Sequence, residues 1–216
     1  MELFHHEQIY RGKVTLDKIK NFPMVICGAG AIGSNLAENL ARQGFAHLTV
    51  IDKDRVQLHN INTQVWTHRD IGAQKASILR YRIFDIAGVE IVGVPKELDS
   101  KTKFKRFVKE RVSLVVDAFD NSKSRQLVKN FCLEQILDCV HIGFSGDYGE
   151  IVWNEDYRVP DEQGEDDCDY PLARNLIMLL VGAASEVIVR FITKGTKDSY
   201  TLTLKDFKIK QKESFR

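Results

Sequence analysis

Short apolar runs alternate along the chain with longer amphipathic stretches. Pro23–Cys27, Leu48–Ile51, Glu90–Val94 and Leu114–Val116 are each long enough for one buried strand and too short for a helix. Between them the period lengthens. From Ala31 onward, Leu36, Leu40 and Ala41 fall on one face, and Gly44 ends the helix this predicts. Lys75–Asp85 reads as a second helix and Lys101–Lys109 as a charged surface helix. Ser122–Leu137 follows, with Leu127, Phe131 and Ile136 roughly on one face. Val140–Gly143 and Glu150–Trp153 read as strands, and Asn154–Tyr170 is aperiodic and crowded with acids. Leu172–Thr193 reads as a long apolar helix, Ser199–Phe207 as an amphipathic strand and Lys208–Arg216 as a polar tail. Such alternation predicts an α/β fold, a doubly wound, mostly parallel Rossmann-like sheet. Helices cover both faces, and a few antiparallel strands close the C-terminal end.

The first of these units carries candidate chemistry. Gly28-Ala29-Gly30-Ala31-Ile32-Gly33 joins a strand to a helix, and Asp52 ends the next strand 19 residues past Gly33. Gly28 suits the tight turn, Gly30 lets backbone approach a phosphate, and Gly33 lets the helix pack close to the sheet. The helix N-terminus would face the anion, and a carboxylate at Asp52 could accept both ribose hydroxyls. This spacing predicts an adenosine-nucleotide site. A single domain then spans 1–216, with an N-terminal arm (1–20), a nucleotide-binding half (21–121), a crossover loop (154–171) and a C-terminal helix and strand (172–216).

Composition narrows the function classes. Hydrophobic residues make up 44% of the 216, enough for a sizeable core. A net charge of +1 gives no electrostatic case for nucleic acid or an anionic membrane. No uninterrupted apolar run reaches the ~18 residues of a membrane span, and Met1–Tyr10 lacks the apolar core of a secretory signal. Four cysteines occur without a Cys-x-x-Cys pair, so no zinc and no disulfide framework are expected. A cytoplasmic, reducing setting is the expectation. Cys27, Cys132 and Cys139 fall on expected core elements. His5-His6 lacks further ligands and reads as part of a solvated arm.

Downstream, Asp52-Lys53-Asp54-Arg55-Val56, Asn60-Ile61-Asn62-Thr63-Gln64, Asp70-Ile71-Gly72-Ala73-Gln74-Lys75 and Asp117-Ala118-Phe119-Asp120-Asn121 follow in order, with Arg125 beyond. These four motifs resemble those of the ThiF/MoeB family, which includes the adenylation domains of ubiquitin-activating enzymes. The resemblance covers about Ile9 to Phe191. It implies an enzyme that uses ATP and Mg²⁺ to activate the C-terminal carboxylate of a small ubiquitin-like or sulfur-carrier protein ending in Gly-Gly. The carboxylate attacks the α-phosphorus, pyrophosphate leaves, and acyl-AMP forms. It further implies a homodimer, for which the long apolar helix is the expected interface.

Residue by residue, the resemblance assigns Lys75 to the phosphates, although a lysine there could simply open a surface helix. Asp120 is implied as the Mg²⁺ ligand, with a helix N-cap as its other role. Asp54, Asn60, Gln64, Asn121, Ala31 and Ile32 are implied to line the nucleotide; a turn role is equally open to Asn60. Thr63 stands where the family usually has an arginine that helps neutralise the triphosphate. Arg11 is a candidate replacement, because relatives bring an arginine from the partner's N-terminal arm; Arg125 and Arg69 are weaker ones. Cys168 lies where many relatives carry a thioester-forming cysteine. A nearby helix N-terminus would favour its thiolate, while the neighbouring aspartates oppose it. The acidic stretch Asp161–Asp169 reads as a solvated loop or as a guide for a basic carrier surface. An NAD-dependent Rossmann oxidoreductase and a non-catalytic nucleotide- or carrier-binding relative remain the alternatives.

Overall fold

A computed structural model describes residues 3–107, 112–161 and 171–212. Its strands are β1 (Met24–Cys27), β2 (Leu48–Ile51), β3 (Val92–Val94), β4 (Leu114–Asp117), β5 (Cys139–Ser145), β6 (Tyr148–Trp153), β7 (Tyr200–Thr203) and β8 (Lys208–Gln211). Its α-helices are α1 (His5–Arg11), α2 (Lys13–Lys20), α3 (Ala31–Arg42), α4 (Lys75–Ala87), α5 (Lys101–Phe107), α6 (Ser122–Gln135) and α7 (Arg174–Lys194). All strands join one eight-stranded sheet in the order β3-β2-β1-β4-β5-β6-β7-β8. The first five in that row are parallel, and β6, β7 and β8 add antiparallel.

Strand pleating explains the layers. Successive side chains of a strand point to opposite faces. Met24 and Ile26 accordingly join the larger core with Leu36, Leu40, Leu79 and Leu180, from α3, α4 and α7. Val25 and Cys27 enter the smaller one with Phe104, Val128 and Phe131, from α5 and α6. Helices on both faces thus bury a central parallel sheet, as the alternation of elements predicts. Cys27, Cys132 and Cys139 are all buried and free, as expected of core cysteines.

Three expectations need correction. Lys208–Gln211 is a strand paired with β7, not a tail. All four of its residues are exposed, so no buried face left a period-2 signal in the sequence. The N-terminal arm is two helices hinged at Gly12, whose φ of +81° ends the first. Finally, α7 is long and apolar enough by length and composition to cross a membrane, because Ser185 and Glu186 interrupt it only briefly. It packs instead on α3, α2 and β6. Leu176, Ile177, Leu180 and Ile188 are fully buried within this chain. The apolar stripe of this helix thus contributes to the core of its own chain.

Candidate active site

β1 lies between β2 and β4, so the chain leaves its carboxyl end in one direction and returns in the other. Open α/β sheets bind ligands at such a switch point. Cys27 and Asp117 face each other in register at the ends of β1 and β4. Gly28 follows with φ +100°, and a Cβ there would come within 2.8 Å of the Ala118 carbonyl oxygen. The turn after β1 therefore touches the turn after β4. At Gly33 a Cβ would lie 1.9 Å from the Gly28 carbonyl oxygen, which requires glycine for helix and turn to meet. Gly30, the N-cap of α3, faces open space, and a Cβ there meets nothing within 4 Å. The first-turn amides of a helix have no partner within it. Beside Gly30 they are free to receive an anion. Ile32 is buried in the core, so only its amide can contribute.

Asp52 is fixed at the rim of this turn. Its Oδ2 accepts from the Ala29 amide at 2.6 Å and its Oδ1 from the Asp54 amide at 2.7 Å. Burial raises the Asp52 carboxyl above its usual range, against the pull of Lys75 and of both amides. Each oxygen retains a lone pair for a ribose hydroxyl. Lys75 opens α4 and is buried; its Nζ lies 3.5 Å from Asp54 Oδ2. The Lys75 amide also donates to the Asp54 carbonyl at 2.9 Å, which ties the start of α4 to the end of β2.

Asp120 and Asn121 separate cleanly in role. Asn121 is the N-cap of α6, its Oδ1 accepting from the Ser124 amide at 2.8 Å. Asp120 is exposed, and its Oδ1 accepts only from Asn121 Nδ2 at 3.3 Å. Among the described residues no cation pairs with its carboxylate. Lys53 sits close enough to both Asp54 and Asp120 to feel their charge, so these acids share one rim. Asn60 caps a short 3₁₀ turn, its Oδ1 accepting from the Gln57 amide at 2.9 Å. Gln64 is buried, and its Oε1 accepts from Trp66 Nε1 at 2.6 Å. Both thus have structural duties beside the rim. Thr63 is buried with its carbonyl held by Asn35 Nδ2 at 2.8 Å.

Arg11 is not brought to this rim in its own chain. Its guanidinium is held by Glu7 at 2.6 Å and by Glu186 of α7 at 2.9 Å. Those two carboxylates raise its pKa despite the opposing effect of burial. Arg69 lies in the 3₁₀ turn His68–Asp70. Cys168 and the acidic run 162–169 fall outside the described residues.

One group was missed in sequence. Beneath Asp120, the buried Asp117 accepts from His141 Nδ1 at 2.7 Å, and His141 Nε2 meets Asn154 Oδ1 at 2.7 Å. Tyr157 stacks on the His141 ring at 3.8 Å between centroids. Arg125 donates to Tyr157 Oη at 3.0 Å and to the Ile142 carbonyl at 2.9 Å, and lies 3.8 Å from Asp117. Burial acts to lower the Arg125 pKa, but Asp117 and Tyr157 outweigh it and raise it. Arg125 is therefore committed to Tyr157, the Ile142 carbonyl and Asp117. Asn154 and Tyr157 lie in the stretch read as aperiodic, and His141, on β5, was the one available hint.

The profile of the ThiF family matches residues 5–214. SUMO-activating enzyme subunit 2 of Dictyostelium discoideum is 30% identical over 142 residues, 65% of this chain and 21% of that protein. The sulfur carrier protein ThiS adenylyltransferase of Bacillus subtilis (strain 168) is 29% identical over 136 residues, 61% of this chain and 40% of that protein. The matches thus span less than half of either relative. Among solved structures, E. coli MccB with ATP covers 96% of this chain and 69% of that chain, with a TM-score of 0.79 and 18% identity. At that identity the likeness shows the fold.

Proposed function

The chain belongs to the ThiF family, and on that premise we propose that it is an ATP-dependent adenylyltransferase. Its substrate would be the C-terminal carboxylate of a small ubiquitin-like or sulfur-carrier protein. The observation that carries this reading is the meeting, at one switch point, of open space at Gly30, a buried carboxylate at Asp52, a buried Lys75 and, at Asp120, an exposed carboxylate that pairs with no cation among the described residues. Hydride transfer would leave Lys75 and Asp120 without a task. Two of the similar proteins are named for activating SUMO and for adenylating ThiS, which supports a carrier protein as substrate.

In the proposed reaction a carboxylate oxygen of the carrier attacks the α-phosphorus. The bond to the bridging oxygen breaks, pyrophosphate departs, and acyl-AMP remains. Backbone amides at Ala31 and Ile32 bind phosphate oxygen, Asp52 orients the ribose, and Lys75 offsets charge that builds on the departing group. The residues fit Mg²⁺, which takes one or two carboxylates beside phosphate oxygens and water. Asp120 would hold it, and the ion would neutralise phosphate charge. Cys168 is proposed as an acceptor that turns acyl-AMP into a thioester. A homodimer is also proposed, now on different grounds: Ile9, Tyr10 and Val14 on α1 and α2 are exposed and apolar.

Pyrophosphate exchange into ATP, dependent on a Gly-Gly-ended carrier, tests the reading. Thermal stabilisation by NADH but not by ATP would point to the oxidoreductase. Tight carrier binding without exchange would point to a scaffold. Cys168→Ala should leave exchange intact and abolish a reducible carrier adduct.

A further inference from the structure

The charge at the phosphate opening does not balance with the residues assigned above. Asp52, Asp54 and Asp120 outnumber Lys75, and a triphosphate and a substrate carboxylate add more negative charge. Three other cations near the rim are engaged. Lys53 is tied to Glu97 at 2.7 Å, Arg55 donates to the Gly72 carbonyl at 2.6 Å, and Arg125 is buried beside Asp117 and Tyr157.

Arg174 differs from these. It is the first residue of α7, is exposed, and pairs with no carboxylate among the described residues. Topology delivers it to the right edge. β5 runs parallel to β4, so the β5–β6 hairpin lies at the carboxyl end of the sheet. Leu172 bridges to Gly146 in that hairpin, and α7 starts immediately after. Arg174 Nη1 then donates to the Asn62 carbonyl at 3.3 Å. The next residue is Thr63, whose carbonyl takes Asn35 Nδ2 at 2.8 Å. The same Asn35 nitrogen donates to the Ala31 carbonyl at 2.7 Å. Short links therefore run from the guanidinium through 62–63 to the first turn of α3. A guanidinium has five N–H groups in a rigid fork, and one of them is accounted for here.

We propose that Arg174 is the arginine that binds the outer phosphates of ATP at this opening, reaching across the Asn62–Thr63 segment from the C-terminal half of the chain. Thr63 is buried and carries no charge, so positive charge at this segment comes from Arg174, whose Nη1 donates to the neighbouring Asn62 carbonyl. The guanidinium fork suits bidentate contact with phosphate oxygens. This inference rests on the nucleotide reading given above.

Calorimetry with ATP and with AMP on the full chain, beside pyrophosphate exchange, tests it. Arg174→Gln keeps a donor for the Asn62 carbonyl but removes the charge. It should weaken ATP about tenfold, the effect of losing a charged hydrogen bond, and leave AMP within about twofold. Arg174→Lys should recover part of the loss. Thr63→Arg, added to Arg174→Gln, should restore ATP affinity from the neighbouring position. Unchanged ATP affinity in Arg174→Gln, or equal weakening of ATP and AMP, would overturn the role of Arg174 while leaving the nucleotide site standing. If the unmodified chain binds neither nucleotide, the underlying reading falls and this inference with it.

Discussion

The two ends of the sheet solve different problems. Around β1, β2 and β4, Gly30, Asp52 and Asp120 are delivered by turns directly after strands, and Asp52 is held by the Ala29 and Asp54 amides. Around β5 and β6, the polar groups are assembled from distant segments: Asp117 with His141, His141 with Asn154, Arg125 with Tyr157. The first region turns its groups toward the switch point, whereas Asp117, His141 and Asn154 of the second are buried. Chemistry and support are thus divided between these two sets of residues, and substitutions should divide the same way.

The largest effect is expected in the supporting set. Asp117→Ala removes the one carboxylate facing both buried His141 and buried Arg125. Breaking one partner of such a group costs about 3–5 kcal/mol, and about 2–4 °C of Tm per kcal/mol at this size. Thermal denaturation should therefore show a fall of roughly 10 °C. Asp117→Asn, which can still accept from His141, should lose less. A fall no greater than that of a surface substitution would refute the division. Next comes the rim itself. Lys75→Ala and Asp120→Ala should each reduce pyrophosphate exchange by about 10²–10³-fold, with Tm nearly unchanged for Asp120→Ala because its side chain is exposed.

The same contrast governs what could be read from the sequence. Gly28, Gly33, Asp52, Lys75 and Asp120 stood out because strand ends and short spacings mark them, and the fold brings their segments to one edge. His141, Asn154 and Tyr157 did not, since their meaning lies in contacts across 13 to 32 residues. A helix N-cap at this turn was legible, and the structure gives it to Asn121 rather than to Asp120. β8 was invisible because a strand exposed on both faces carries no hydrophobic period. The short N-terminal helices were hidden for a related reason: α1 has no buried residue, and Ile19 alone is buried in α2.

Asp52 allows a finer test, because stability and binding should respond to pH in opposite senses. Its folded pKa is raised by burial. The fold therefore holds the proton more tightly than the unfolded chain, whose aspartate titrates near about 3.9. The resulting contribution to stability is present below that value and lost as pH rises through the folded pKa. The ribose contact needs the carboxylate, so ATP affinity should rise over the same window. Asp52→Asn should flatten both curves. It should also cost about 1–3 kcal/mol, since its amide donor must face the N–H of Ala29 or Asp54. Parallel rather than opposed pH curves in the unmodified chain would detach Asp52 from the ribose.

The smallest effect belongs to the far edge. Truncation before Lys208 removes a strand with no buried side chain, so its loss should cost about 1 kcal/mol through a few exposed backbone hydrogen bonds. ATP affinity should be untouched, because β8 lies at the opposite end of the strand order from β3 and beyond the switch point. Its service is of another kind. Lys208 and Lys210 charge the edge of the sheet, and charged edge strands resist pairing with a second chain. Truncation would uncover β7, a Tyr-Thr-Leu-Thr strand well suited to pairing. Size-exclusion at increasing concentration should then show association beyond that of the full chain, at nearly constant Tm. A truncated chain that keeps the elution of the full one at every concentration would mean that β8 does not guard the edge.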